Sequence, residues 1–191
     1  ALMDDIASAY PDLAQTFVIG SSIQGRELKG IRLSDNVGVE EAGPEVRISS
    51  SVHGDEPVGM ELCVYLMEYL TENYGSDPVV DNLVDNYDLY LLPLHNPDGY
   101  VAHSRYNAHG YDLNRNFPVP DGSIGGDGTY DWEPETEVFI ENFGHSHNFV
   151  IALDYHGGAL VVNYPWDYTP DPTPDEDALI ELSLEYSRHN D

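Results

Sequence analysis

His53 and Glu56 stand three residues apart in the segment SVHGDEPVG (51–59), and a third metal-binding side chain, His156, comes far down the chain in LDYHGG. Two ligands close in sequence and one distant, with a fourth position left to water, form the pattern of a catalytic zinc site. Each residue alone says little. A single histidine after a strand is usually a hydrogen-bonded structural group, and a histidine and a carboxylate three apart recur by chance in many chains. Together the three point to one zinc ion per domain, provided the fold brings them to one place. His95, His103, His109, His145, His147 and His189 lack such pairing and are read as surface groups or as supports for the ligands.

A second cluster is cationic. The chain holds seven Lys and Arg in all, and two of them, Arg105 and Arg115, fall in SRYNAHGYDLNRNFP (104–118). A guanidinium is a planar fork that matches a carboxylate through two bonds, and Asn114 beside it can donate one more. The competing reading is a structural salt bridge to one of the chain's many acids.

These residues need elements to hold them. VRISSSV (46–52) and FVIALDY (149–155) have the β-branched, apolar character of buried strands, and each leads into one of the histidines. In an open α/β sheet ligands gather beyond the carboxyl ends of parallel strands, so neighbouring strands would let the two rings converge. Glu56 then lies at the start of a helix: Val58, Leu62, Leu66 and Leu70 recur at helical spacing from Pro57 to about Tyr74, and Gly75 suits its end. Around this unit the sequence predicts a short amphipathic start (Leu2 to Ala9), a hairpin of Phe17 to Gly20 and Leu28 to Leu33 about Gln24-Gly25, and an acidic loop to Pro44. A helical stretch from Val79 to Asn86 and a strand over 88–94 complete a βαβ-like unit. His95 to Pro134 reads as a long irregular segment, too long for a simple connector. Glu135 to His147 reads as a helix, 149–155 and 160–164 as strands, and Asp175 to Arg188 as a final amphipathic helix.

Composition sets the frame. The 191 residues suit one domain with a sizeable core, and 41% hydrophobic residues mark a globular chain. Seven basic against 35 acidic residues give a net charge of -28, which repels phosphate backbones and anionic membranes, so nucleic acid is not an expected partner. The same charge would attract cationic substrates or suit a salty or cold habitat, although a solvated surface accounts for most of those carboxylates. No apolar run reaches the length of a membrane span, and no signal-peptide pattern opens the chain, so it reads as a mature soluble form, secreted or periplasmic. Its one cysteine, Cys63, lies on the apolar helix, excludes an internal disulfide and reads as a core residue.

Four motifs occur in order: HGDE with His53 and Glu56, NPDGY (96–100), DLNRNFP (112–118) and HGGALVVNYPWD (156–167). In them the chain resembles the zinc metallocarboxypeptidases of the funnelin family, most closely the carboxypeptidase N/E regulatory branch, from about Gly43 to Asp167. The resemblance implies an α/β fold with a mixed, mainly parallel central sheet flanked by helices, incomplete at its C-terminal end. It implies zinc ligation by His53, Glu56 and His156, and a clasp of Asn114 and Arg115 on the C-terminal carboxylate of a peptide. Arg105 matches the oxyanion-stabilising arginine, and Asp112 the acid that hydrogen-bonds a ligand histidine. Asp167 matches the acid at the floor of the side-chain pocket in members that prefer basic residues. The implied activity is therefore zinc-dependent removal of C-terminal residues, Lys or Arg, from peptides with a free C-terminus.

The same resemblance implies a general-base glutamate, with a substrate-covering tyrosine before it, in a stretch these 191 residues do not include. The chain is accordingly read as one partial catalytic domain, 1–191, whose missing C-terminal segment would be its partner, and which alone would bind zinc weakly and turn over little. Two alternatives stay open. Zinc amidohydrolases related to aspartoacylase use a similar triad on N-acyl amino acids, although NPDGY, Arg105 and NYPWD favour the peptidase; a non-catalytic peptide-binding module is the other. Two acidic loops, one with Asp121, Asp127 and Asp131 and one with Asp167, Asp171, Asp175 and Asp177, offer oxygen ligands for a structural calcium in a spacing that matches no EF-hand. A solvated acidic loop is the simpler reading.

Overall fold

A computed structural model describes residues 2–39, 43–119, 131–166 and 169–190. The chain forms two units, 1–157 and 158–191. The larger begins with helix α1 (Leu2–Ala9) and the antiparallel hairpin β1 (Ala14–Ser21) and β2 (Glu27–Leu33), turning at Gly25, whose φ is +76°. There follow β3 (Glu45–Ser50), α2 (Val58–Asn73), α3 (Pro78–Asn86), β4 (Asp88–Leu92) and α4 (Pro97–Ala102). A single 3-10 turn (Leu113–Arg115), α5 (Pro134–Phe139) and β5 (Phe149–Tyr155) complete the unit.

The sheet order is β1-β2-β4-β3-β5. β1 with β2 and β2 with β4 pair antiparallel, and β3 pairs parallel with both β4 and β5. This is the mixed α/β sheet expected from the sequence, with its parallel part at the end that carries His53 and His156. β4 is buried along its whole length and serves both faces by its period of two. Leu89 and Leu91 pack with Ile31 and Leu33 against Cys63, Met67 and Leu70 of α2 and Val80 and Val84 of α3. Tyr90 and Leu92 pack on the other face with Ile19, Leu28, Phe139 and Phe143. β4 stops at Leu92 rather than running to 94 because Pro93 has no N–H to give the ladder. α3 is capped by Asp77, whose side chain accepts from Val79 N, with Pro78 in the first turn.

Three expectations are corrected. The stripe that seals α2 is Gly59, Cys63, Met67 and Leu70; Val58 and Leu62 face outward. The offset arises because Gly59 sits where its missing side chain lets the helix close on the sheet: a Cβ there would lie 2.5 Å from Tyr155 Cβ and 2.8 Å from Ser50 Cβ. The helix expected over 135–147 is α only to Phe139, then widens into a π turn over Ile140–Gly144 that keeps Ile140 and Phe143 buried. In the smaller unit, 160–164 forms no strand, and Leu160 is fully exposed. The apolar run has no ladder partner among the described residues, and an unpaired strand gains nothing from its β propensity. That unit's helix, α6 (Glu176–Arg188), has no buried residue. No helix among the described residues is long and apolar enough to cross a membrane.

Candidate metal centre

Two parallel strand ends set the geometry. Ser49 stands opposite Asp154 and Ser50 opposite Tyr155, so His156, the first residue past β5, lies beside the turn that leaves β3. That turn starts at Ser51, whose φ of +56° lies in the left-handed region. Such a conformation costs a non-glycine residue about 1–3 kcal/mol and persists only where its surroundings enforce it. Here Asn96 N donates to Ser51 O at 3.0 Å, Ser51 Oγ donates to Glu56 O at 3.3 Å, and Glu56 N donates to His53 O at 3.2 Å. Gly54 lies so close to α4 that a Cβ would overlap the backbone of Gly99 and Tyr100.

The turn brings the three expected side chains together. His53, Glu56 and His156 each offer a ligand atom, and these atoms lie within 4.8 Å of one another. Glu56 sits between the rings: His53 Nδ1 is 2.9 Å from Oε1, and His156 Nδ1 is 3.0 Å from Oε2, which also accepts from Gly157 N at 2.9 Å. Two imidazole nitrogens and a carboxylate are a donor set that zinc takes, at about 2.0–2.2 Å. His53 is 3% exposed and His156 37%, so the centre is closed below and open on one side. Burial works against ionisation of Glu56, but the Gly157 amide and the two histidines outweigh it and hold its carboxyl below the usual range.

Asp112 and Arg105 form the wall. Asp112 Oδ1 is 3.1 Å from His53 Nε2, and Oδ2 accepts from Arg105 Nε at 2.9 Å and ion-pairs with its NH2 at 2.8 Å. Arg105 NH1 is left facing the cluster, 3.2 Å from His53 Nδ1 and 3.8 Å from Glu56 Oε1. Burial raises the Asp112 carboxyl, and the Arg105 and His53 partners more than reverse this, holding it below the usual range. Asn114 Nδ2 is 3.5 Å from His156 Nε2, and the exposed Arg115 donates from NH1 to Asn114 O at 3.0 Å.

Other expectations fare differently. Asp167, Asp121 and Asp127 lie outside the described residues. Among the described residues the His53, Glu56, His156 group is the only cluster of three or more His, Cys, Asp or Glu so disposed, and Asp131, Asp171, Asp175 and Asp177 belong to no such cluster. His95 is neither a surface group nor a support for the ligands. It is fully buried, stacked on Phe139 with ring centroids 4.3 Å apart, and burial drives its pKa down to about 4. His103, His109, His145 and His189 are exposed, His109 pairing with Glu133 and His145 with Glu141; His147 is half-buried on Glu45. Sequence reasoning gave no role to Asn96, Asn107, Asn116, Glu133 and Glu135, all buried and either within the 105–116 segment or hydrogen-bonded to it. The density of asparagine from 96 to 116 was the one signal for them.

The family model for zinc carboxypeptidase matches residues 1–191. Carboxypeptidase D of Homo sapiens is 38% identical to this chain over 200 residues, which cover 96% of the chain and 14% of that protein. The carboxypeptidase N catalytic chain of Homo sapiens is 34% identical, over 95% of the chain and 48% of that protein. The chain thus spans less than half the length of these curated relatives. The crystal structure of carboxypeptidase A from Helicoverpa armigera superposes with a TM-score of 0.84 at 23% identity, over 97% of the chain and 51% of that structure, a likeness of fold.

Proposed function

The chain belongs to the zinc carboxypeptidase family, and from that premise we propose that it supplies the metal-binding part of a zinc exopeptidase that removes C-terminal residues, Lys or Arg, from peptides. The observation that carries this reading is the meeting of His53, Glu56 and His156 at one point, with Arg105 against them and Asn114 beside His156. The three side chains would hold zinc. Bound there, zinc lowers the pKa of its water from about 15.7 to about 7 and polarises the scissile carbonyl.

The chain's own residues have separable tasks. Asp112, on His53 Nε2, fixes the ring so that Nδ1 points at Glu56. Because Asp112 also takes one edge of Arg105, the remaining NH1 is held toward the cluster, where an oxyanion would be stabilised. Arg115 and Asn114 would clasp the substrate's free carboxylate; a peptide lacking it leaves those donors unpaired, and internal bonds are thereby rejected. The preference for Lys or Arg rests on Asp167 in NYPWD and on the net charge of -28. The general base is not assigned to any residue of this chain. Membership in the family favours peptides over N-acyl amino acids as substrates.

The test is an assay of the zinc-loaded full-length protein on hippuryl-Arg, hippuryl-Phe, amidated hippuryl-Arg and N-acetylaspartate. Release of arginine should be fastest, and the amide slower by on the order of 10²-fold or more, because buried polar groups built for the carboxylate go unpaired. Equal turnover of free and amidated peptide, or hydrolysis of N-acetylaspartate, would overturn the reading. Binding of hippuryl-Arg without turnover would replace it with a peptide-binding module.

A further inference from the structure

The four site residues of the 105–116 segment, Arg105, Asp112, Asn114 and Arg115, stand on a stretch whose only regular structure is the single turn Leu113–Arg115. What fixes them is a set of side-chain amides beneath. Asn107 is the centre. Its Oδ1 accepts from His109 N at 3.1 Å and Tyr111 N at 2.9 Å, while its Nδ2 donates to Glu133 Oε2 at 2.7 Å and Glu135 Oε2 at 3.3 Å. A carboxamide has two acceptor sites and two N–H donors, and here all four are used. Asn107 N also donates to Tyr111 O at 2.9 Å, closing the loop on itself.

Glu133 ties this centre to the segment's far end. Its Oε2 lies 2.8 Å from His109 Nδ1, and its own N–H donates to Asn116 Oδ1 at 2.7 Å. Asn116 is fully buried and donates onward to Asp131 O at 3.2 Å. At the near end Asn96 Nδ2 reaches both Val52 O, one residue before His53, and Arg105 O. The segment is therefore pinned at its start, middle and end to the backbone that carries the metal-binding turn and to Asp131–Glu135.

No aspartate or apolar residue could replace Asn107. Aspartate would set a third carboxylate against Glu133 and Glu135, and leucine would orphan two backbone N–H groups and take one donor from each of the two carboxyl groups. We propose that Asn107 and Asn116, gathered on Glu133, are positioning residues for substrate binding: they set where Asn114 and Arg115 stand relative to His53, Glu56 and His156. This rests on the carboxypeptidase reading. Displacing a positioned group by about 1 Å can cost on the order of 10²-fold in rate, so loosening the anchor should tell on the carboxylate clasp before it tells on the metal.

The experiment compares free with amidated hippuryl-Arg in the zinc-loaded full-length protein, alongside hydrogen exchange of residues 104–116 and zinc content. Asn107→Asp should lower the preference for the free carboxylate about tenfold, mostly through KM, with zinc retained and the His109 and Tyr111 amides exchanging faster. Adding Glu133→Gln gives the new carboxylate an amide donor and should recover most of the preference. If Asn107→Asp does not fold, Glu133→Gln alone should show a smaller fall of the same kind. Unchanged selectivity in a folded variant, or a loss of kcat and zinc together with selectivity intact, would overturn the proposal. A native protein that shows no preference for the free carboxylate would instead sink the carboxypeptidase reading, and the exchange measurement would still decide whether Asn107 holds the segment.

Discussion

Glu135 is a carboxyl with nowhere to put a charge. It is fully buried, accepts from Ile23 N at 3.2 Å and from Asn107 Nδ2 at 3.3 Å, and shares its surroundings with Glu133 and Asp98. Burial, reinforced by Asp98, lifts its pKa above the ordinary glutamate value of 4.5. A raised carboxyl pKa means that the folded chain holds its proton more tightly than the unfolded one, so stability is complete below 4.5 and falls as pH rises through the higher folded value. Glu135→Gln should match the native protein in acid and exceed its unfolding free energy toward neutral pH. Denaturant titrations across that range would show it, and parallel curves for the two proteins would count against it. At this scale the sequence was readable where a residue's chemistry is announced by its neighbours. His53, Glu56 and His156 followed strand-like runs, and the two cations in DLNRNFP and just before it stood out in an acidic chain. Asn107 and Glu133 gave no such notice. Their value lies in hydrogen bonds to residues 24 to 28 positions away, which no local pattern records.

Among the elements, α2 and the strands it covers are held by close approach rather than by bulk. Gly59 brings the helix against Ser50 and Tyr155, the last residues of the two strands that present the histidines. Gly59→Ala must push the helix outward or strain both strand ends, at about 1–3 kcal/mol for overpacking. A lower denaturant midpoint with weakened zinc retention is the expected outcome; a midpoint raised by alanine's better helix propensity would mean that the contact yields freely. Periodicity found α2, α3, the hairpin and both site strands, because each has a run long enough to show its period. It misjudged which face of α2 is sealed, since Val58 and Leu62 look more apolar than Gly59 and Cys63 while the glycine decides how near the helix can come. It also read 160–164 as a strand from side chains alone, although a strand exists only with a neighbour to bond.

The whole molecule is dominated by like charge. With 35 acidic residues and seven basic ones, few carboxylates among the described residues find a Lys or Arg: Asp98 pairs with Arg26, Asp88 with Arg32, Asp112 and Glu56 with Arg105, Asp4 with Lys29 and Glu185 with Arg188. The rest repel across distances that low salt leaves unscreened, about 30 Å at 0.01 M, and that high salt cuts to about 3 Å at 1 M. Thermal midpoints should therefore climb as sodium chloride is raised over that range, and a flat or falling series would show that the acids are already compensated. The buried thiol of Cys63 stands apart from this electrostatics, with its pKa driven up by burial to about 11. Only the thiolate attacks an alkylating reagent, so in the folded chain this group is silent until α2 lifts from the sheet. One unaltered side chain thereby becomes a stopwatch: its rate of alkylation times the opening of the very layer on which the two histidine-bearing strands rest.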